Sequence, residues 1–199
     1  MKSIYIKRLG AYLFDFVVVA FLVSIITIGF IQDTDVSKEM NELLNKVSNE
    51  TITKEEYTKQ AFKLNYDYQK NMIPTTIVNV TISIGYFIIF ACLNKGQTLG
   101  KKIFKIRVVD KDGNNPNILN MLGRSIFLYG IIASTINIVG VYVFNVKIFN
   151  YVSSSASYIY YIFSIVCFLM VMYRKDGRGL HDMIGKTMVV EEVRLNGKN

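Results

Sequence analysis

One carboxylate stands inside a run of residues that are otherwise uncharged and mostly apolar. Asp15 is the only charged residue between Leu9 and Ile31. At ~1.5 Å per residue, a helix of that length would cross a hydrocarbon layer of ~30 Å. A carboxylate that faced lipid there would cost ~2.5–3.5 kcal/mol. We therefore expect Asp15 to face protein or water, either in a permanent ion pair or alternating between protonated and cation-bound states.

Several further titratable residues could meet Asp15 in one polar centre. Arg8 precedes it by two helical turns and lies on the same helix face. Two later arginines, and donors in the turn 177–182, are equally plausible partners. His181, the chain's only histidine, stands next to Asp182. This pair is compatible with a proton relay, but fastening of a short helix is favoured. The candidates for functional or structural key roles are Arg8, Asp15, Arg124, Arg178, His181 and Asp182.

The sequence predicts no enzyme. It pairs no nucleophile with a base and has no cluster with metal-ligand spacing, so no catalytic, cofactor-binding or metal-binding residue is assigned. The net charge is +8, but no aromatic-basic module accompanies it. Anionic lipid headgroups explain this charge better than nucleic acid does.

Four uncharged runs predict four transmembrane helices. The chain is 51% hydrophobic with a mean hydropathy of +0.30, which is too apolar for a soluble surface unless the apolar residues cluster. The spans are expected at about 9–31, 73–93, 125–146 and 152–173, with a tight turn at Lys147. The first run is longer than the ~7–15 apolar residues of a signal peptide.

The distribution of charge predicts the orientation. Most of the 23 basic residues flank the spans on one side, which places both termini in the cytoplasm and predicts a multi-pass protein of the cell membrane. Segment 33–72 holds two amphipathic patterns, the second beginning with a capping box at Thr53–Glu56. We expect an extracytoplasmic helical hairpin inserted into a membrane domain, 1–192, which a cytoplasmic tail follows at 193–199. A structural cap is favoured over a ligand- or partner-binding cap.

Two segments of the chain, 96–110 and 177–191, align without a gap. Each predicts a turn, a short interfacial helix and a strand. A lone strand would leave backbone groups unpaired, so strands at 106–110 and 187–193 should pair. The expected fold is an all-α membrane protein. It is a four-transmembrane-helix bundle of two parallel helix-hairpin repeats, with interfacial helices and a small cytoplasmic two-stranded sheet.

These motifs, taken together, resemble the RDD family of bacterial membrane proteins. The family is named for an arginine and two aspartates, which Arg8, Asp15 and Asp182 match. The resemblance covers nearly the whole chain except residues 32–72. It implies an integral membrane protein whose suggested activity is transport of unidentified ligands. The remaining motif positions are Gly96, Gln97, Thr98, Gly100, Lys101, Gly179 and Leu180.

Two functions stay open at this point. The first is transport of small solutes or cations, including proton-coupled exchange. The alternative is a non-catalytic structural or accessory membrane protein that aids assembly or an envelope response. The expected partners are the lipid bilayer, a small cation or solute, and further copies of the chain, because four helices form a narrow bundle. Nucleic acid is not expected.

Overall fold

The computed structural model of the protein describes residues 2–29 and 36–192, which are mostly helical. The elements, in chain order, are α1 (Lys2–Thr27), α2 (Val36–Ser48), α3 (Lys54–Asn71), α4 (Ile73–Ile84), a π-helical segment (Gly85–Phe90), α5 (Ala91–Leu93), α6 (Leu99–Ile103), β1 (Ile106–Asp110), α7 (Ile118–Leu128), α8 (Ile131–Val143), α9 (Val146–Tyr173), α10 (Leu180–Ile184) and β2 (Thr187–Glu191).

Three stretches of helix are long and apolar enough to cross a membrane. They are Ile4–Thr27, Ile73–Leu93 and Val146–Tyr173. A fourth exists only if α7 and α8 count as one span, since their axes differ by 68°. Among the described residues the count is therefore three or four, and the four predicted spans stay a prediction.

The third and fourth predicted spans differ from the observed helices. The run 125–146 begins in the middle of α7 and is broken at Gly130, whose φ of 66° is left-handed and interrupts a helix. The next helix begins at Val146 instead of 152, because the Asn145 side chain accepts the Ile148 N–H at 3.0 Å and caps it. Lys147 therefore lies in the first turn of α9 and not in the turn before it.

The first predicted span and the predicted tail meet the limits of the described chain. Helix α1 ends at Thr27, before the predicted end of the span at residue 31. The last part of that span, the beginning of the predicted insertion and the tail 193–199 lie outside the described residues.

The inserted segment forms two helices, α2 and α3, as predicted. Thr53 caps α3 by accepting a backbone N–H of its first turn at 3.2 Å. The Tyr66 hydroxyl donates to the Val141 carbonyl at 2.8 Å, and the Asn65 amide donates to Asn150 Oδ1 at 2.8 Å. These contacts tie α3 to α8 and α9, so the hairpin is part of the packed structure. Its side of the membrane stays a prediction.

The predicted two-stranded sheet is confirmed. β1 and β2 run antiparallel, with Val108 opposite Val189, Ile106 opposite Glu191 and Asp110 opposite Thr187. Corresponding positions of the two motifs therefore lie symmetrically about the central valines. Helices α6 and α10 have five residues each. This symmetry covers the motifs, and the two-repeat arrangement of whole helix hairpins stays a prediction.

A buried apolar cluster positions the sheet relative to the helices. Ile88, Ala91, Val108, Met121 and Ile131 form one buried cluster that joins the second span, β1, α7 and α8. The outer faces of the long helices are apolar and exposed; only 6% of the most apolar part of α9 is buried. An apolar exterior around a packed interior is suited to a lipid environment.

Candidate functional site

Five charged side chains from four helices lie close together, four of them buried and the fifth, Arg8, partly buried. Asp15 and Asp182 are 1% and 0% exposed. Burying a charge is costly unless opposite charges and hydrogen bonds compensate it. The arrangement must therefore be held by specific partners. We call it the buried ion cluster, and its members are Arg8, Asp15, Lys101, Arg124 and Asp182.

Asp15 is held by donors from the second span and the first motif. Its Oδ1 accepts the Tyr86 hydroxyl at 2.6 Å and the Gly100 N–H at 2.8 Å. Its Oδ2 accepts the Thr98 hydroxyl at 2.5 Å and lies 3.7 Å from Lys101 Nζ. These four contacts use the acceptor sites of a carboxylate. Neither an arginine nor a donor of the turn 177–182 is among the described partners of Asp15, so the partners predicted for it were wrong.

Tyr86 reaches Asp15 from the π-helical segment. Such a segment inserts one residue into an α-helix and redirects the side chains around it. The Tyr86 hydroxyl donates to Asp15 and also accepts the Leu99 N–H at 3.1 Å, so it links the second span to α6. Sequence reasoning missed this residue. The available signal was a tyrosine in an apolar run, because a buried tyrosine hydroxyl needs a partner.

Asp182 is the second acidic centre of the cluster. Its Oδ2 accepts Arg8 Nη2 at 2.5 Å and the Gly179 N–H at 3.1 Å. Arg124 Nη1 lies 3.1 Å from Oδ1, close enough for an ion pair but not aligned as a hydrogen bond. Burial alone would raise the pKa of Asp182, but Arg124 and Arg8 hold it below its usual range. The charged carboxylate thus joins α1, α7 and α10.

The second motif is fastened around this carboxylate by backbone contacts. Arg178 pairs with no carboxylate among the described residues. Its Nε donates to the Thr187 carbonyl at 3.0 Å and its Nη2 to the Asp182 carbonyl at 3.5 Å. Leu180 begins α10, and Gly179 before it is buried. Asp182 therefore caps this helix, as the fastening interpretation predicted.

His181 is buried in a cationic environment. Its Nε2 lies 3.4 Å from Asp182 Oδ1 and 3.5 Å from Arg8 Nη2. Its Nδ1 is buried and has no hydrogen-bond partner in the described part of the chain. Burial lowers the pKa of His181 to about 3; Asp182 opposes this shift, and Arg124, Arg8 and Lys101 add to it. The imidazole is therefore neutral near pH 7, which disfavours a proton relay through it.

Lys101 is the least tightly bound cation of the cluster. Its Nζ donates to Thr98 Oγ1 at 3.1 Å and lies at the longer distance of 3.7 Å from Asp15. Burial lowers the pKa of Lys101 to about 8; Asp15 opposes this shift, and Arg124 and Arg8 add to it. Lys101 can therefore release its proton close to physiological pH.

The first motif places these groups through its turn. Gly96 has a φ of 84°, and a Cβ there would collide with the Val108 carbonyl. Gln97 Nε2 donates to the Ile106 carbonyl at 3.1 Å. The Thr98 hydroxyl accepts the backbone N–H of Lys101 in α6 at 3.4 Å and donates its own proton to Asp15. The turn thus orders both β1 and the donors of Asp15.

A cavity of about 350 Å³ adjoins the cluster. It lies between α1, the junction of α7 and α8, α9 and the two motifs. Its polar wall includes Ser164 on α9, whose Oγ is buried without a described partner. The charged or titratable lining includes Arg8, Lys101, Arg124 and His181, and apolar lining residues include Leu9, Leu128, Cys167, Phe168 and Val171.

The structure brings the predicted candidates into two adjoining centres. Asp15 forms one centre with the first motif. Asp182 forms the other, and the predicted residues around it are Arg8, Arg124, Arg178 and His181. No group of three or more histidine, cysteine, aspartate or glutamate residues able to hold a metal occurs within residues 2–29 and 36–192.

Long apolar helices around a buried ion cluster define a helical protein of the membrane type. The chain belongs to the RDD family, whose sequence profile matches residues 5–186. A Bacillus subtilis (strain 168) protein described as uncharacterized protein YxaI is 27% identical over 143 residues, which is 72% of this chain and 71% of that relative. No solved structure matches the chain.

Proposed function

We propose that the protein is a non-catalytic, multi-pass membrane protein that transports a small solute through the cavity beside the buried ion cluster. The cavity itself carries this proposal. A cluster that only joined helices would need neither a cavity of about 350 Å³ nor the unpartnered His181 Nδ1. An unpaired buried polar group costs about 1–3 kcal/mol, which a bound ligand could offset.

The titration of Lys101 supports coupling of this transport to protons. Asp15 has donors on both oxygens, so a cation could bind there only by displacing them. The Lys101 ammonium is held less tightly and has a pKa lowered to about 8. In a proton-coupled carrier, Lys101 is therefore the group that would exchange the proton.

The charge distribution supports the orientation. Both termini and both motifs would lie in the cytoplasm, because the flanking basic residues concentrate there. This places the buried ion cluster at the cytoplasmic end of the bundle in the cell membrane. The small number of spans supports a homo-oligomer, because a bundle of three or four helices is narrow for a transport path.

A flux assay in proteoliposomes tests the proposal. The wild type is compared with Ser164→Phe, which fills the cavity from α9, and with Ile165→Phe, whose residue is 58% exposed on the same helix. A trapped pH-sensitive dye reports proton flux while sodium, potassium or organic anions are supplied outside. We expect flux in the wild type and the Ile165 variant and its loss in the Ser164 variant. Folded wild-type protein that gives no proton flux with any of these solutes would refute proton-coupled transport.

A structural or accessory role is the second candidate. It is favoured because Asp15 and Asp182 both already have partners within the protein. The cluster ties α1, α6, α7 and α10 together through two fully buried carboxylates. This function predicts that Asp15→Asn lowers the amount of protein in the membrane while the wild type shows no flux. Quantitative immunoblotting of membranes, alongside the flux assay, separates the two functions.

A further inference from the structure

Every charged side chain that lines the cavity within the described chain is basic. Arg8, Lys101 and Arg124 reach its wall, while Asp15 and Asp182 stand behind them and do not. The three cations exceed the two carboxylates by one, and His181 adds a neutral imidazole. A cation in the cavity would meet uncompensated positive charge, whereas one anionic group would complete the balance.

The rest of the cavity is apolar and opens toward the outside of the bundle. Leu9 on α1 and Phe168 and Met172 on α9 line it and are 47%, 50% and 45% exposed. Helices α1 and α9 hardly touch each other, so their facing sides leave a lateral gap. An apolar chain that left the cavity through this gap would continue into lipid.

We infer that the cavity binds a single-chain amphipathic carboxylate, a long-chain fatty acid. Its carboxylate contacts Lys101 and Arg124, and its chain lies along the apolar wall between α1 and α9. A volume of about 350 Å³ is small for a drug-sized site, so the far end of the chain extends into the bilayer. The inference rests on the proposed function in that it names the ligand class of the same cavity.

A single tryptophan can report this binding, because the chain has none. Phe168→Trp places an indole in the cavity wall, and Phe21→Trp places one on α1, where Phe21 is 63% exposed and not part of the lining. Dibromostearate is titrated into each purified variant in detergent. We expect saturable quenching for the Phe168 variant and only the linear quenching of micelle partitioning for the Phe21 variant.

Competitors separate the contributions of head and chain. Unbrominated oleate should displace dibromostearate and restore the fluorescence. Oleyl alcohol lacks the negative charge and acetate lacks the hydrocarbon chain, so neither compound should restore it. Equal displacement by oleyl alcohol, or by acetate, would overturn the inference. Displacement by phosphatidylglycerol at lower concentration than by oleate would overturn it in favour of a phospholipid site.

A matched pair of lysine variants tests the anchoring of the head group. In the Phe168→Trp background, Lys101→Met should weaken dibromostearate binding about tenfold or more, because a charge-assisted contact is lost. Lys102→Met, at the exposed neighbouring position, should leave binding unchanged. Equal affinities of the two variants, with both folded by thermal melting, would contradict the inference. Binding without flux would refute transport but leave this site in place.

Discussion

The contact between Gly100 and Asp15 makes a sharp prediction about stability. A Cβ on Gly100 would lie 2.8 Å from Asp15 Oδ1 and 2.9 Å from its Cγ, and it would also crowd the Ala11 carbonyl. Gly100→Ala must therefore push α6 away from α1. The same movement breaks the 2.8 Å hydrogen bond from the Gly100 N–H to the carboxylate.

The magnitude follows from three contributions. Crowding of a packed contact costs about 1–3 kcal/mol, and loss of a hydrogen bond to a charged group costs about 1.5–3 kcal/mol. Alanine returns about 1 kcal/mol of helix propensity. The net loss in the free energy of unfolding is about 3 kcal/mol, which for ~150–250 residues lowers the melting temperature by about 6–12 °C.

A thiol-reactive fluorophore measures this effect in detergent. In a Cys92→Ser background the remaining thiol is that of Cys167, which is 2% exposed and reacts when the bundle opens. Gly85→Ala is the matched control, because a Cβ there meets nothing within 4 Å in a right-handed helical conformation. We expect the control to melt at or above the wild-type temperature. If Gly100→Ala melts within about 2 °C of the wild type, the close approach of α6 to Asp15 is refuted.

Three further predictions concern the charges of the buried ion cluster. Asp182→Asn should destabilise the protein by about 3–5 kcal/mol, since it leaves the buried Arg124 and the partly buried Arg8 uncompensated. Asp176→Asn, in an exposed pair, should leave the melting temperature unchanged. Equal melting temperatures of the two variants would contradict the pairing of Asp182. Because the pKa of His181 falls from 6.5 to about 3 on folding, stability should drop with acidification from pH 6.5 towards 3, by up to about 1.4 kcal/mol per unit. In melts between pH 6.5 and 3, His181→Asn should reduce the dependence of stability on pH. An unchanged dependence would mean that other groups cause it. Asp15→Asn should cost more than Lys101→Met, since only the first replaces one of the two carboxylate oxygens that together accept three hydrogen bonds. The double variant should be more stable than Asp15→Asn alone. Additive losses in a double-mutant cycle would exclude coupling between Asp15 and Lys101.

Much of the fold follows from hydrophobic runs, but the break between α7 and α8 does not. The run 125–146 is uncharged throughout, so its composition is compatible with a continuous helix. The bend is located at Gly130, whose left-handed φ depends on the packing around it, including the ring of Tyr160. Pairing of the two strands was predictable, in contrast, because unpaired backbone groups are costly wherever the strands lie.

The burial of Asp15 was predictable, and its partners were not. A carboxylate in an apolar helix implies a polar neighbour, but any of several arginines satisfied that requirement on paper. The observed donor Tyr86 depends on the π-helical segment, which shifts the helical register by one residue. Ordinary helical spacing does not reveal such a shift. Likewise, the pairing of Arg8 with Asp182 depends on how the second motif packs against α1.

The pairing of β1 with β2 is self-complementary. Each strand carries a valine at its centre, and Val108 and Val189 face each other so that equivalent positions exchange places across the pair. This is the geometry of an isologous contact, in which the same surface serves both partners. A chain with only one of the two motifs could therefore form the same sheet with a second copy of itself. This chain contains both motifs, so a single molecule forms the self-complementary contact internally.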